Sequence, residues 1–182
     1  IKLFAIKNIH QTNAIFDLQK LNYFNAKLIR QTKPKALLQL IKTFLKFKLA
    51  DEKLMQILPL VQERLVKLTD INDLIDFFIV EPQPEQKLIL AQSKLPASVV
   101  KDFLQTVIDS FSQISHQNWQ LKNLEVAGHD LLAQIGLTPR QLFMTIRVLV
   151  TGKTATPPLF DLMAILGKQT TLKRLIYAQK NI

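Results

Sequence analysis

Few residues in this chain could make or break bonds, and each candidate grouping fails on spacing. Thr151-Gly152-Lys153-Thr154 ends like a phosphate-binding loop, in which backbone amides cradle phosphates and the lysine reaches the outer ones. That motif needs a glycine five residues before Gly152, where Arg147 stands, and no strand precedes it. His10, His116 and His129 lie far apart, and none has a partner histidine or carboxylate at the spacing of a zinc-binding helix. Asp51-Glu52, and Asp73 with Asp76, sit where helix starts or solvated faces place acids, without a nucleophile beside them. The chain has no cysteine, which removes disulfides, thiolate catalysis and Cys-based zinc sites and allows a reducing compartment. The chemistry left is binding.

One stretch is built for binding in an unusual way. After Arg147 comes a Gly-containing turn, then Thr156, the pair Pro157-Pro158, and Leu159 at the start of a new helix that carries Lys173-Arg174. A rigid Pro-Pro turn at a helix start fixes unpaired backbone groups in one array, suited to reading hydrogen-bonding edges. A plain helix-helix corner has the same pattern.

The net charge of +10 is unevenly placed. Residues 1–50 carry a local charge of +9, with Asp17 their only acid; residues 51–100 carry −3 and residues 101–182 carry +4. Two basic ends around an acidic middle can follow a polyanion, because each Lys or Arg near a phosphate releases counterions. Solvated Lys-rich helix faces give the same count.

The elements that must hold these residues read as helices. Leu, Lys, Ile and Gln dominate, glycine occurs four times and aromatics make up 8%, so an all-α fold is expected. Residues 14–30 place Ile15, Leu18, Leu21, Leu28 and Ile29 near helical spacing, with Asp17 available at the start. A helix after Lys33-Pro34 sets Leu37, Leu38, Ile41, Phe44 and Leu45 on one face. Asp51-Glu52 open a third, in which Pro59 either kinks the helix or splits it. A short helix over residues 71–80 precedes EPQPEQ, the clearest interior break. Ser98 can cap the next helix; others contain Trp119 and Leu121, end at Gly136, and start at Thr138-Pro139. The last runs from about Leu159 to Tyr177. No apolar run approaches the roughly 20 residues that span a bilayer. The start at Ile1, with no signal-peptide core, reads as a piece of something longer.

The segment from Arg147 to Leu175 resembles the end of bacterial-type glutamyl-tRNA synthetases: Arg, apolar residues, Thr-Gly, a variable stretch, Pro, apolar-Phe, Leu-Gly-Lys and Arg-Leu. It is matched by Arg147, Thr151-Gly152, Pro157, Leu159-Phe160, Leu166-Gly167-Lys168 and Arg174-Leu175. Phe16, Asp17, Lys20, Leu21 and Asn25 are similar to an earlier segment of that family, and Arg64, Leu68 and Phe77-Phe78 to its middle. Tyr23 stands where tryptophan is usual, Ala26 where glycine is common, and Leu28 where an aromatic is frequent.

The resemblance implies the all-helical anticodon-binding region of a class I synthetase, built as two helical subdomains. Residues 1–32 would end the stem-contact region, 33–80 form the first anticodon-binding subdomain and 81–182 the second. It implies a cytoplasmic, monomeric parent, a glutamate-tRNA ligase that joins glutamate to its tRNA with ATP and Mg2+. The nucleotide-binding fold of that parent would lie upstream of Ile1, leaving this piece inactive alone, without a cofactor, and partnered by glutamate tRNA. Arg64 matches the arginine that reads the third anticodon base, which goes with discrimination against glutamine tRNA. Arg147, Thr156 and Pro157 match positions around the central uracil, and Leu159 the position meeting the first base. The rival readings are a helical protein-interaction module derived from a synthetase and a helix-turn-helix DNA binder.

Overall fold

In the computed structural model, which describes residues 16–182, the first helix begins at Leu18. Ile15, His10 and the remainder of residues 1–15, including that part of the expected stem-contact segment, lie outside the described residues. Ten α-helices and no strand occur among the described residues, as the all-α expectation requires.

Asp17 starts α1 (Leu18–Gln31) by accepting hydrogen bonds from the backbone N–H groups of Gln19 and Lys20 at 2.9 and 3.1 Å. The helix packs through Ala26 and Ile29, whereas Leu18, Leu21 and Leu28 of the expected apolar set are exposed. Pro34 opens α2 (Pro34–Lys42), which buries Leu37, Leu38 and Ile41. The helix stops before Phe44 and Leu45 because the following backbone finds another partner. Buried Asn72, on α4 (Ile71–Ile75), donates to Phe44 O at 2.9 Å and accepts from Lys46 N at 2.8 Å. Between them, α3 (Asp51–Val61) runs through Pro59 without splitting, then tightens into a 3-10 turn, Gln62–Arg64. Ile29, Leu37, Ile41, Leu54, Ile57, Leu58 and Ile75 form one apolar cluster from these elements.

A second cluster is built on the remaining six helices. The sequence reading lacks α5 (Gln86–Ser93). It also places Ser98 as a cap, but α6 (Ala97–Gln113) begins one residue earlier, with Pro96 in the cap position. Trp119 precedes α7 (Leu121–Ile135), which is one helix, and Gly136 closes it. At α8 (Pro139–Thr151) the structure has the expected cap: Thr138 and Gln141 bond each other's backbone N–H groups. The expected single helix from Leu159 to Tyr177 is two, α9 (Leu159–Leu166) and α10 (Lys168–Asn181). Gly167 separates them at φ 85° and ψ 159°, a backbone region that essentially only glycine occupies.

Trp119 ties α9 to this core. Its Nε1 donates to Met163 O at 2.9 Å, and its ring meets Phe111 edge-on at 6.1 Å. The clusters touch one another: Phe78 packs against both, and Ile165 of α9 packs against the first. Lys53 of α3 donates to Ile165 O, and partial burial lowers its pKa from the ordinary lysine value.

Gly128 makes a close approach that holds α9 in place. A Cβ there would lie 2.3 Å from Cζ of Phe160, whose ring is set edge-on to Phe143 at 5.2 Å. Gly128→Ala is expected to push that ring off Phe143 and destabilise the fold by about 1–2 kcal/mol through overpacking. Urea unfolding measures this, and an unchanged midpoint would mean the ring swings aside freely.

Candidate nucleic-acid interface

α8 carries Arg147 toward the segment that joins it to α9. The helix continues one turn beyond Arg147, to Thr151, whose buried hydroxyl donates back to Arg147 O at 2.7 Å and accepts from Lys153 N at 3.2 Å. Gly152 ends the helix at φ +72°, where an added Cβ would also stand 3.1 Å from Cβ of Pro82. The chain then returns beneath Arg147. Nη1 of Arg147 donates to Thr156 O at 3.2 Å, to Pro157 O at 2.6 Å and to the Thr156 hydroxyl. That hydroxyl donates in turn to Pro157 O at 3.1 Å. One guanidinium therefore sets the shape of the Thr156-Pro157 turn, which then enters α9 with no side-chain cap.

The rest of that guanidinium is less occupied. Nε is buried without a partner, and Nη2 makes no hydrogen bond among the described residues. Burial, and after it the positive charge of Arg64, lower the Arg147 pKa from its ordinary value. The second cause comes from a residue 83 positions away in sequence (147 less 64), so the charge of Arg64 reaches Arg147 through the fold. Arg64 ends the 3-10 turn after α3, is exposed, and has no ion pair or hydrogen bond from its side chain among the described residues. An exposed arginine without a protein partner, whose positive charge reaches a second arginine, favours an anionic ligand.

The other three expected residues have different surroundings. Thr156, Pro157 and Leu159 are buried, Leu159 within the second apolar cluster. They give the turn its shape and its anchorage, while Pro158 is exposed between them and offers an apolar face to a ligand. Sequence reading gave Pro158 no role; its position as the outer half of a Pro-Pro pair was the available signal.

Lys153 has a structural duty instead of the phosphate one that its Gly-Lys-Thr setting evokes. Its Nζ lies 2.7 Å from both carboxylate oxygens of Asp76 and 2.5 Å from Asp73 O. This strut links the turn to the chain segment after α4 and so to the half of the molecule that carries Arg64. Nothing in the local sequence marks the pairing, which spans 77 residues. Among the described residues no group of histidine and acidic side chains could hold a metal ion.

The chain is 34% identical to a glutamate-tRNA ligase of Herpetosiphon aurantiacus, over 96% of its own length and 37% of that protein's. It is 33% identical to a glutamate-tRNA ligase of a Roseiflexus species, over 96% and 36% respectively. The chain thus spans little more than a third of the relatives it matches. A crystal structure of a glutamate tRNA ligase from Elizabethkingia meningosepticum superposes with a TM-score of 0.84 at 24% identity, covering 97% of this chain and 35% of that one, which places the fold. The family described as "Anticodon binding domain" matches residues 28–179, from the end of α1 to the last turns of α10. The chain belongs to the anticodon-binding domain family.

Proposed function

We propose that this chain is the anticodon-reading portion of a cytoplasmic, monomeric glutamate-tRNA ligase, with glutamate tRNA as its partner. The observation that supports it most is the match of the anticodon-binding domain family over residues 28–179, a span that contains Arg64 and the Thr156-Pro157 turn held by Arg147. Residues 33–80 and 81–182 serve as its two helical subdomains, and 1–32 as the end of the stem-contact segment. ATP, Mg2+ and the joining of glutamate to tRNA belong to the parent's catalytic part, and no residue here is assigned to them.

Arg64 reads the third anticodon base. A cytosine there presents two acceptors, O2 and N3, to the planar fork of a guanidinium. Guanine, which glutamine tRNAs carry at that place, presents one acceptor and two donors, so N–H would face N–H. Arg147, Thr156 and Pro157 hold the turn at the central uracil, and Leu159 fixes the surface that meets the first base. Lys-rich α1 and α2 supply phosphate contacts, which are strong, salt-dependent and blind to sequence.

Arg64→Ala is expected to reduce the preference for a hairpin with anticodon UUC over one with UUG by about tenfold, or roughly 1.4 kcal/mol. Titration of both hairpins at fixed salt measures it. Efficient charging of glutamine tRNA by the full-length enzyme would sink the discrimination claim. The exposed stripe of Leu21, Phe24 and Leu28 on α1 favours a second reading, a protein-interaction module. Tight binding of a protein partner, with no affinity for either hairpin, would select it.

A further inference from the structure

The 3-10 turn that ends in Arg64 is held from outside α3. Thr32 ends α1 in an extended conformation rather than as a capping glycine, and donates from its N–H to Ile29 O at 3.1 Å and from its hydroxyl to Leu28 O at 2.8 Å. Gln62 adds a further donor to this helix end from across the chain. Its Nε2 lies 2.8 Å from Ile29 O, 2.8 Å from Thr32 O and 3.3 Å from Arg30 O. Two more side chains of α1 grip the same stretch. Arg30 Nε is 3.3 Å from Glu63 O and 3.4 Å from the Glu63 carboxylate, and Asn25 donates to Val66 O at 2.5 Å. The main chain is therefore fixed on both flanks of Arg64, while the Arg64 side chain itself is exposed.

We propose that Gln62 is the positioning residue for Arg64: by capping α1 in trans it fixes where the third-base guanidinium stands, so that base selectivity depends on a residue that touches no base. The inference rests on the anticodon reading above. A flexible exposed arginine would meet cytosine and guanine alike as a diffuse charge. Fixing its backbone at both sides limits it to the orientations in which the fork meets two acceptors. The same contacts tie the selectivity element to α1, on the side of the chain where the stem-contact segment is placed.

The test compares dissociation constants of the whole chain for RNA hairpins with UUC and UUG anticodons at several salt concentrations. Wild type should prefer UUC by about tenfold or more. Gln62→Glu keeps the side-chain length but offers only acceptors to carbonyl oxygens, so its preference should fall to within about threefold of unity, with an unchanged salt slope. Gln62→Lys restores donors and should keep the wild-type ratio. If Gln62→Glu does not fold, Asn25→Ser, which releases Val66 O on the other flank, has the same expected result. Wild-type discrimination with equal discrimination in Gln62→Glu, or equal weakening of both hairpins, would overturn the positioning role and leave the anticodon reading standing. Absence of discrimination in wild type would overturn both.

Discussion

Arg147→Ala will weaken binding of an anticodon hairpin by on the order of 100-fold, the upper part of the 1–3 kcal/mol range for a base-reading arginine. The loss is large because two functions go together. The vacated guanidinium leaves Thr156 O, Pro157 O and the Thr156 hydroxyl without their shared donor, so the turn loses its shape as well as a charge beside Arg64. Arg147→Lys keeps the charge, but a single ammonium on a flexible stem has no planar fork to span the turn. It should recover only a small part of the affinity. The decisive comparison is with an unrelated RNA hairpin of equal length. An equal loss there would mean that Arg147 supplies charge alone and reads nothing.

That turn shows what a sequence makes visible and what it hides. The Thr138-Pro139 start of α8, with Gln141 three residues on, announces a capping box, and the structure has one. The pattern Thr-Gly followed by Pro-Pro marks a rigid corner before α9, and one is there. Which way the corner faces is not local information. Leu159 and Pro157 turn inward and Pro158 outward because α9 must bury Leu162, Met163 and Leu166, a choice made by packing against α7 and Trp119. Helix α5 escaped notice because QKLILAQS spreads its apolar residues around the helix instead of along one stripe, so its periodicity is weak. The break at Gly167 is hidden for a related reason: apolar spacing continues across it, and only the backbone angles reveal that the helix axis changes. Arg64 and Arg147 could be named singly from motifs, but that the charge of one reaches the other is a matter of tertiary packing.

Arg174→Met will be the more damaging change for stability, at about 2–4 kcal/mol. Arg174 is buried, and it donates to Val150 O at 2.7 Å and to Val80 O at 3.3 Å. Burial lowers its pKa and the charge of Glu81 offsets part of that. Methionine fills similar space but donates nothing, so two carbonyl oxygens lose their donor, each at about 1–3 kcal/mol. The effect reaches function, because Val150 lies at the end of α8 and Val80 just before the segment that meets Gly152. For a chain of this size the loss corresponds to a fall of roughly 5–15 °C in Tm. A loss below about 1 kcal/mol would show that water replaces the guanidinium at both carbonyls.

Trp119 offers a use beyond its part in packing. It is the only tryptophan in the chain, it is buried, and its indole nitrogen is bonded to the backbone of α9 three residues beyond Phe160. Its fluorescence is therefore a built-in optical gauge of how α9 is seated, without any dye. If a hairpin engages the turn at the start of α9, the emission of native protein should respond as RNA is added. A signal that ignores saturating RNA would mean that α9 does not move when the turn is occupied.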